Sequence, residues 1–181
     1  MTTQSKAHGL EPREVGLIAA ALALVADQGF KLYMLYGAGF VHMPPGQSVP
    51  VLPFFNLVMV WNPGVSYGLF PASGRLGTFL LIGLSVVAVA VLSLLLWRAT
   101  SRSLAIGYGL IIGGALGNNL VDRVIYGKVA DFFHFYGFGY DWYVFNIADL
   151  AITLGAMAIL YDVLQPQSSQ EQTPRDKGHE V

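Results

Sequence analysis

The chain contains no cysteine. Disulfides, thiolate nucleophiles, cysteine-ligated zinc and iron–sulfur clusters are therefore excluded. Charge is scarce too. Only 12% of the residues are Asp, Glu, Lys or Arg, against about 25% in soluble domains. The formal net charge of −1 gives no case for nucleic acid as a partner, since that needs a basic stripe to neutralise phosphates. The four histidines, His8, His42, His134 and His179, are scattered, and two lie in the polar termini. Neither a metal nor any other cofactor is expected.

Hydrophobic residues make up 54% of the 181. Crossing a hydrocarbon core of about 30 Å takes roughly 20 mostly apolar residues in a helix. Four segments qualify, at about 15–36, 76–97, 104–122 and 142–162. The first carries Asp27 and Lys31 near its far end. Its charged start followed by an apolar run invites comparison with a cleaved signal peptide. Asp27-Gln28 stands where small residues would mark the cleavage site, so a retained helix is expected.

With four spans, Lys6, Arg13, Arg98, Arg102, Arg175 and Lys177 fall on one side of the membrane, and Lys31, Arg75, Arg123 and Lys128 on the other. The tight turn after Trp97 holds two arginines, whereas the long 37–75 connection carries only Arg75. By the positive-inside rule both termini are expected in the cytoplasm. The outer connection has Pro44-Pro45-Gly46, Pro50 and Pro53 before the run Phe54 to Trp61. That aromatic and β-branched run predicts a strand, ended by Asn62-Pro63-Gly64. A small β element over 50–70, on the outer membrane surface, fits. Gly109, Gly113 and Gly117 recur every four residues and predict close helix packing, with Gly114 adding to it. Residues 1–164 read as one membrane-embedded domain, and 165–181 as a disordered polar tail.

An ionised group inside a membrane is costly, so an intramembrane carboxylate is a functional candidate. Between Val15 and Val163 every acidic residue is an aspartate: Asp27, Asp122, Asp131, Asp141, Asp149 and Asp162. Asp149 reads as about two turns into the fourth helix, with Asn146 three residues earlier on the same face. Asp131 lies between apolar neighbours in a loop after the third helix. Two carboxylates at one depth share a proton, because both cannot easily ionise. One then takes a proton from water while the other polarises a carbonyl. Plainer roles stay open: Asp27 and Lys31 have i, i+4 spacing for an ion pair, and Asp122 adjoins Arg123. Asp162 suits a solvated helix end. Gly64-Val65-Ser66-Tyr67-Gly68 matches G-x-S-x-G, but it follows Asn-Pro in a turn and His134 is the only histidine after it outside the tail. A serine nucleophile is not expected.

Five blocks in order resemble the lipoprotein signal peptidase (signal peptidase II) family. Asp27-Gln28-Gly29-Phe30-Lys31 resembles its D-Q-x-x-K. Phe55-Asn56-Leu57 with Asn62 to Gly68 resembles F-N-L…N-x-G-x-x-F/Y-G. Gly113 to Arg123 resembles G-G-A-x-G-N-x-x-D-R, Gly127 to Phe132 resembles G-x-V-x-D-F, and Phe145 to Asp149 resembles F-N-x-A-D. The resemblance implies an all-α membrane protein of four transmembrane helices with a small extracytoplasmic β-strand cradle. It implies an aspartic endopeptidase of the bacterial inner membrane, with its active site near the outer leaflet, that cleaves diacylglyceryl-prolipoproteins before the lipidated cysteine. Membrane lipid and inhibition by globomycin belong to the same picture, and a monomer is expected. Asp131 and Asp149 match the family's catalytic aspartates. Asp27, Lys31, Asn62, Asn119, Asp122, Arg123 and Asn146 match its supporting residues. One departure stands out: Gly117-Asn118-Asn119 carries a residue more than G-N-x-x-D-R. Counting from Gly117 selects Asn118; counting back from Asp122 selects Asn119, which i, i+3 spacing favours.

Two other readings compete. A different intramembrane aspartate protease would hold its second aspartate beside a glycine, and Gly155 lies well past Asp149. A proton-coupled transporter would also pair carboxylates. No internal repeat is evident, however, and the second helix reads as having no polar group to line a path.

Overall fold

A computed structural model of the chain describes residues 9–64 and 74–165. Ser66, the end of the expected 50–70 β segment and the tail from 166 lie outside these residues. Among the described residues four helices are long and apolar enough to cross a membrane: Pro12–Gly37, Leu76–Trp97, Arg102–Tyr126 and Ile147–Leu164.

The first helix, α1 (Pro12–Leu32), begins with proline at a position where no N–H is needed, and Glu14 accepts the Glu11 N–H at 2.9 Å. A π-turn over Tyr33–Gly37 continues it. Then come strands β1 (Ser48–Leu52) and β2 (Phe55–Asn62), α2 (Gly74–Trp97) and α3 (Arg102–Ala115). Ser101 caps α3 by accepting the Leu104 N–H. A second π-turn, Leu116–Asp122, joins α3 to the short α4 (Arg123–Tyr126), which stops at Gly127 with φ of 73°. Strands β3 (Val129–Gly137) and β4 (Tyr140–Asp141) precede α5 (Ile147–Leu164).

The α3 helix sits in the middle, and glycine sets its distance from both neighbours. A Cβ on Gly109 would lie 2.1 Å from the Gly16 carbonyl oxygen of α1, and one on Gly113 would lie 2.4 Å from that of Ala20. On the opposite side, Gly107 and Gly155 clear each other's backbone, and a Cβ on Gly114 would lie 2.6 Å from the Ala148 oxygen. The expected close packing is present, but Gly114 serves α5 rather than α1. Gly117 has another neighbour: its Cβ would meet the Asp27 carboxylate at 2.6 Å. By contrast α2 is largely exposed. Its inward stripe is Ser85, Val89, Leu92 and Leu96, of which the last three pack with Ala20, Ala105 and Ile112.

The four strands form one antiparallel succession, β1-β2-β3-β4. Along β3 the faces alternate. Ala130 and Phe132 enter a core with Met34, Leu35 and Phe40, which turns Asp131 to the other face. Opposite it, β2 pairs Val60 with Asp131 and Asn62 with Val129, so Asn62 lies diagonal to Asp131 on one face.

Three sequence expectations change. Asp131 is in a buried strand, not a loop. The third spanning helix runs on to Tyr126, because the π-turn absorbs the extra residue without breaking it. The fourth begins at Ile147 and not at 142. Phe145 instead pairs with Phe133 of β3 through bonds of 2.8 and 3.1 Å, and Asn146 caps the helix. Asp149 is therefore in the first turn, not two turns deep.

Candidate active site

The polar cluster starts from Lys31, buried at the end of α1. Its Nζ lies 2.8 Å from Asp27 Oδ2 and 2.8 Å from Asp122 Oδ2, and donates to Asn118 Oδ1 at 2.6 Å. Both carboxylates are also tied to backbone from other elements. Asp27 Oδ1 accepts the Ala148 N–H at 2.9 Å, which fixes the start of α5 to α1. Asp122 Oδ2 also accepts the Ala130 N–H at 3.2 Å, fixing the start of β3 to the end of the second π-turn. Gln28 spans both acids, its Nε2 donating to Asp27 Oδ2 at 3.0 Å and to Asp122 Oδ1 at 2.9 Å. So Asp27 and Lys31 do form the simple i, i+4 pair, but as part of a buried network. One lysine between two carboxylates, with every carboxylate oxygen hydrogen-bonded, is the arrangement that makes buried charge tolerable.

Asn118 connects this network to the second pair of acids. Its Nδ2 donates to Asp149 Oδ1 at 3.0 Å. Asp149 Oδ2 accepts the Asn146 N–H at 3.1 Å while the Asp149 N–H returns to Asn146 Oδ1 at 2.9 Å, a reciprocal cap of α5. The same Asn146 donates from Nδ2 to Asp131 Oδ1 at 2.6 Å. Asn62 donates to Asp131 Oδ2 at 3.1 Å and to Tyr143 Oη at 2.7 Å. One asparagine thus holds both carboxylates, one from a strand and one from a helix. Burial, and then the charge of Asp149, push the Asp131 carboxyl up to about 7.

Arg123 works at the rim. It donates to the Pro63 carbonyl at 3.1 Å and the Gly64 carbonyl at 2.5 Å, and its Nε to Asn119 Oδ1 at 3.1 Å. It therefore pins the turn that follows β2. Asn119 is its partner, whereas Asn118 is the residue on Asp149. Spacing i, i+3 favoured Asn119 on the assumption of a regular α-helix, and the π-turn rotates Asn118 into the cluster instead.

A cavity of about 560 Å³ opens beside these groups. Asn62, Asn118, Asn119, Arg123 and Asp149 give it a polar end, and Leu81, Leu84, Leu150 and Ile152 an apolar one. Asp149 lines it. Asp131 is 1% exposed and lies behind Asn62. Ser85 of α2 lines it as well, so the second helix does present a polar group to this space.

The remaining acids lie elsewhere. Asp141 is exposed, 3.4 Å from His134 Nε2. Asp162 accepts hydroxyls from Ser101 (2.5 Å) and Ser103, joining the end of α5 to the start of α3. Among the described residues no group of histidines and acids has the arrangement of a metal site. Gln28 is the supporting residue that spacing arguments missed. Its place in the D-Q-x-x-K block was the available signal, and only the fold reveals that it faces Asp122.

Known proteins resemble this chain along most of its length. Residues 19–165 match the family model of signal peptidase (SPase) II. The chain is 44% identical over 169 residues to a lipoprotein signal peptidase of Methylobacterium radiotolerans, covering 93% of this chain and 96% of that one. It is 41% identical over 170 residues to another from Beijerinckia indica, covering 94% and 99%. Among solved structures, a bacterial membrane enzyme at 2.3 Å resolution superposes with a TM-score of 0.71 at 26% identity, covering 93% of this chain and 94% of that one. A second, at 1.9 Å, gives 0.69 at 28% identity, with 84% and 94% covered.

Proposed function

The chain belongs to the signal peptidase II family, and from that premise we propose that it removes the signal peptide of diacylglyceryl-modified prolipoproteins, using Asp131 and Asp149 as its catalytic pair. The observation that carries the assignment is Asn146, which holds both carboxylates while Asp149 alone opens to a cavity of about 560 Å³. In this reading Asp149 accepts a proton from water as the oxygen attacks the scissile carbonyl. Asp131, kept near 7, supplies a proton to the carbonyl oxygen once the substrate takes the place of the Asn62 amide that covers it. Collapse of the resulting diol returns that proton to Asp131, and the one held by Asp149 leaves on the departing amine.

Asp27, Gln28, Lys31, Asn118 and Asp122 serve as the frame that keeps the pair in register. Asn62 and Asn146 orient Asp131, and Arg123 with Asn119 holds the 63–64 turn over the cavity. The apolar end of the cavity suits acyl chains. Burying them at about 0.8 kcal/mol per methylene would fix the scissile bond at the depth of the pair. The enzyme acts as a monomer in the bacterial inner membrane, termini in the cytoplasm, with the sheet and site towards the outer leaflet. The support for this placement is the basic turn at Arg98 and Arg102.

Purified protein should shorten a diacylglyceryl-prolipoprotein, leave the unmodified precursor intact, and be inhibited by globomycin. Efficient cleavage of the unmodified precursor would remove the lipid from the account.

A further inference from the structure

Helix α2 is the most apolar of the four spans, with mean hydropathy 2.9 over its most apolar 18 residues, and most of it is exposed. Its inward stripe carries two hydroxyls, the half-buried Thr78 near its start and the buried Ser85, and is otherwise aliphatic. Ser85 is only 8% exposed. A serine in a membrane helix ordinarily turns its hydroxyl back to the carbonyl one turn earlier, here that of Leu81. Ser85 forms no such bond and has no hydrogen-bond partner among the described residues. Nor is its oxygen sealed in, since no enclosed polar side-chain atom among the described residues lacks a partner. It therefore opens into the cavity, whose wall it shares with Leu81 and Leu84 of its own helix and with Leu150 and Ile152 of α5. The other hydroxyl on this part of the wall, Thr153, is committed to the Asp149 carbonyl at 2.8 Å.

A hydroxyl on an apolar wall costs stability unless something bonds to it, and alanine would pack there at no such cost. We infer that Ser85 is a substrate-contacting residue, whose hydroxyl donates to a carbonyl oxygen of the prolipoprotein lying in the apolar end of the cavity. This rests on the proposed function. A prolipoprotein brings two kinds of carbonyl into such a place. A signal-peptide helix that ends at the scissile bond leaves its last four main-chain carbonyls without helical partners. The diacylglyceryl group brings ester carbonyls. In either case the acceptor would otherwise be buried unpaired against hydrocarbon, where an unmet group costs several kcal/mol.

The test is steady-state cleavage of diacylglyceryl-prolipoprotein by the wild type, Ser85→Ala, Ser85→Thr and Ser85→Val, with ester-linked and with ether-linked chains. Ser85→Ala should raise KM about three- to tenfold with little change in kcat, as expected for one neutral hydrogen bond used in binding. Threonine keeps the hydroxyl and should restore the wild-type KM. Valine, of the same shape without it, should not. In detergent without substrate, Ser85→Ala and Ser85→Val should melt no lower than the wild type, so a raised KM is not a folding defect. A defect that disappears on the ether-linked substrate assigns the acceptor to the ester; one that persists assigns it to the peptide. An unchanged KM in both Ser85→Ala and Ser85→Val, with cleavage proceeding, overturns the inference and leaves the proposed function standing. Equal losses in the threonine and valine proteins would overturn it too, since shape would then be the cause. A wild type that leaves the lipidated substrate uncut fails the proposed function, and the role of Ser85 falls with it.

Discussion

At the scale of single residues, Asp131 is kept from ionising by its surroundings. Its carboxyl is raised to about 7 in the folded protein, against about 3.9 for an unfolded chain. Below pH 4 it is protonated in both states and costs nothing. As pH rises from about 4 to 7 the unfolded chain ionises first, so the folded state loses stability, and the loss is complete above about 7. Asp131→Asn should therefore melt higher than the wild type at pH 8, by the equivalent of about 4 kcal/mol at most, and equal to it near pH 3.5. Melting curves across that range check this; a difference independent of pH would show that the carboxyl is not held protonated. The same group sets the alkaline limb of activity. Cleavage should decline as pH rises through about 7, with an apparent value belonging to the pair and not to one residue.

At the scale of elements, α3 acts as the spine, with α1 and α5 drawn against it by glycines. Gly109→Ala would place a methyl 2.1 Å from the Gly16 oxygen. Overpacking of this kind costs about 1–3 kcal/mol, and the variant should melt lower in detergent, whereas Gly83→Ala, with nothing within 4 Å, should not. A Gly109→Ala protein as stable as the wild type would mean the helices can separate freely. The four spans and this glycine face were legible because hydropathy and a four-residue repeat are local signals. Strand β3 was not. Its Val129-Ala130-Asp131-Phe132-Phe133 follows a long helix, and its pairing partner β2 is 69 residues away at the Asn62–Asp131 contact. The start of α5 was misplaced for a related reason. Trp142-Tyr143-Val144-Phe145 is as apolar as a helix, and only the bridge to Phe133 makes it extended. Hydropathy alone gives Asp149 a depth it does not have; its partners, Asn118 and Asn146, are what make it distinctive. The choice between Asn118 and Asn119 turned on helical periodicity, which a π-turn changes by one residue.

At the scale of the whole molecule, the polar groups of α1, α3, β3 and α5 meet at one end of the bundle, so orientation decides which side of the membrane is served. Reporter fusions after residue 165 should be cytoplasmic and those within 40–60 extracytoplasmic. An extracytoplasmic C-terminal reporter would put the aspartates on the wrong side for an exported precursor. The central claim is that Asp131 and Asp149 act as one unit, and turnover of a diacylglyceryl-prolipoprotein by the purified variants tests it most directly. Asp131→Asn and Asp149→Asn should each lose at least about a thousandfold in kcat, and the double variant should be no worse, because members of a catalytic unit are strongly non-additive. Asp141→Asn and Asp162→Asn should cleave at close to the wild-type rate. Substantial turnover by Asp131→Asn alongside complete loss in Asp122→Asn would contradict the assignment and move the second catalytic carboxylate to Asp122.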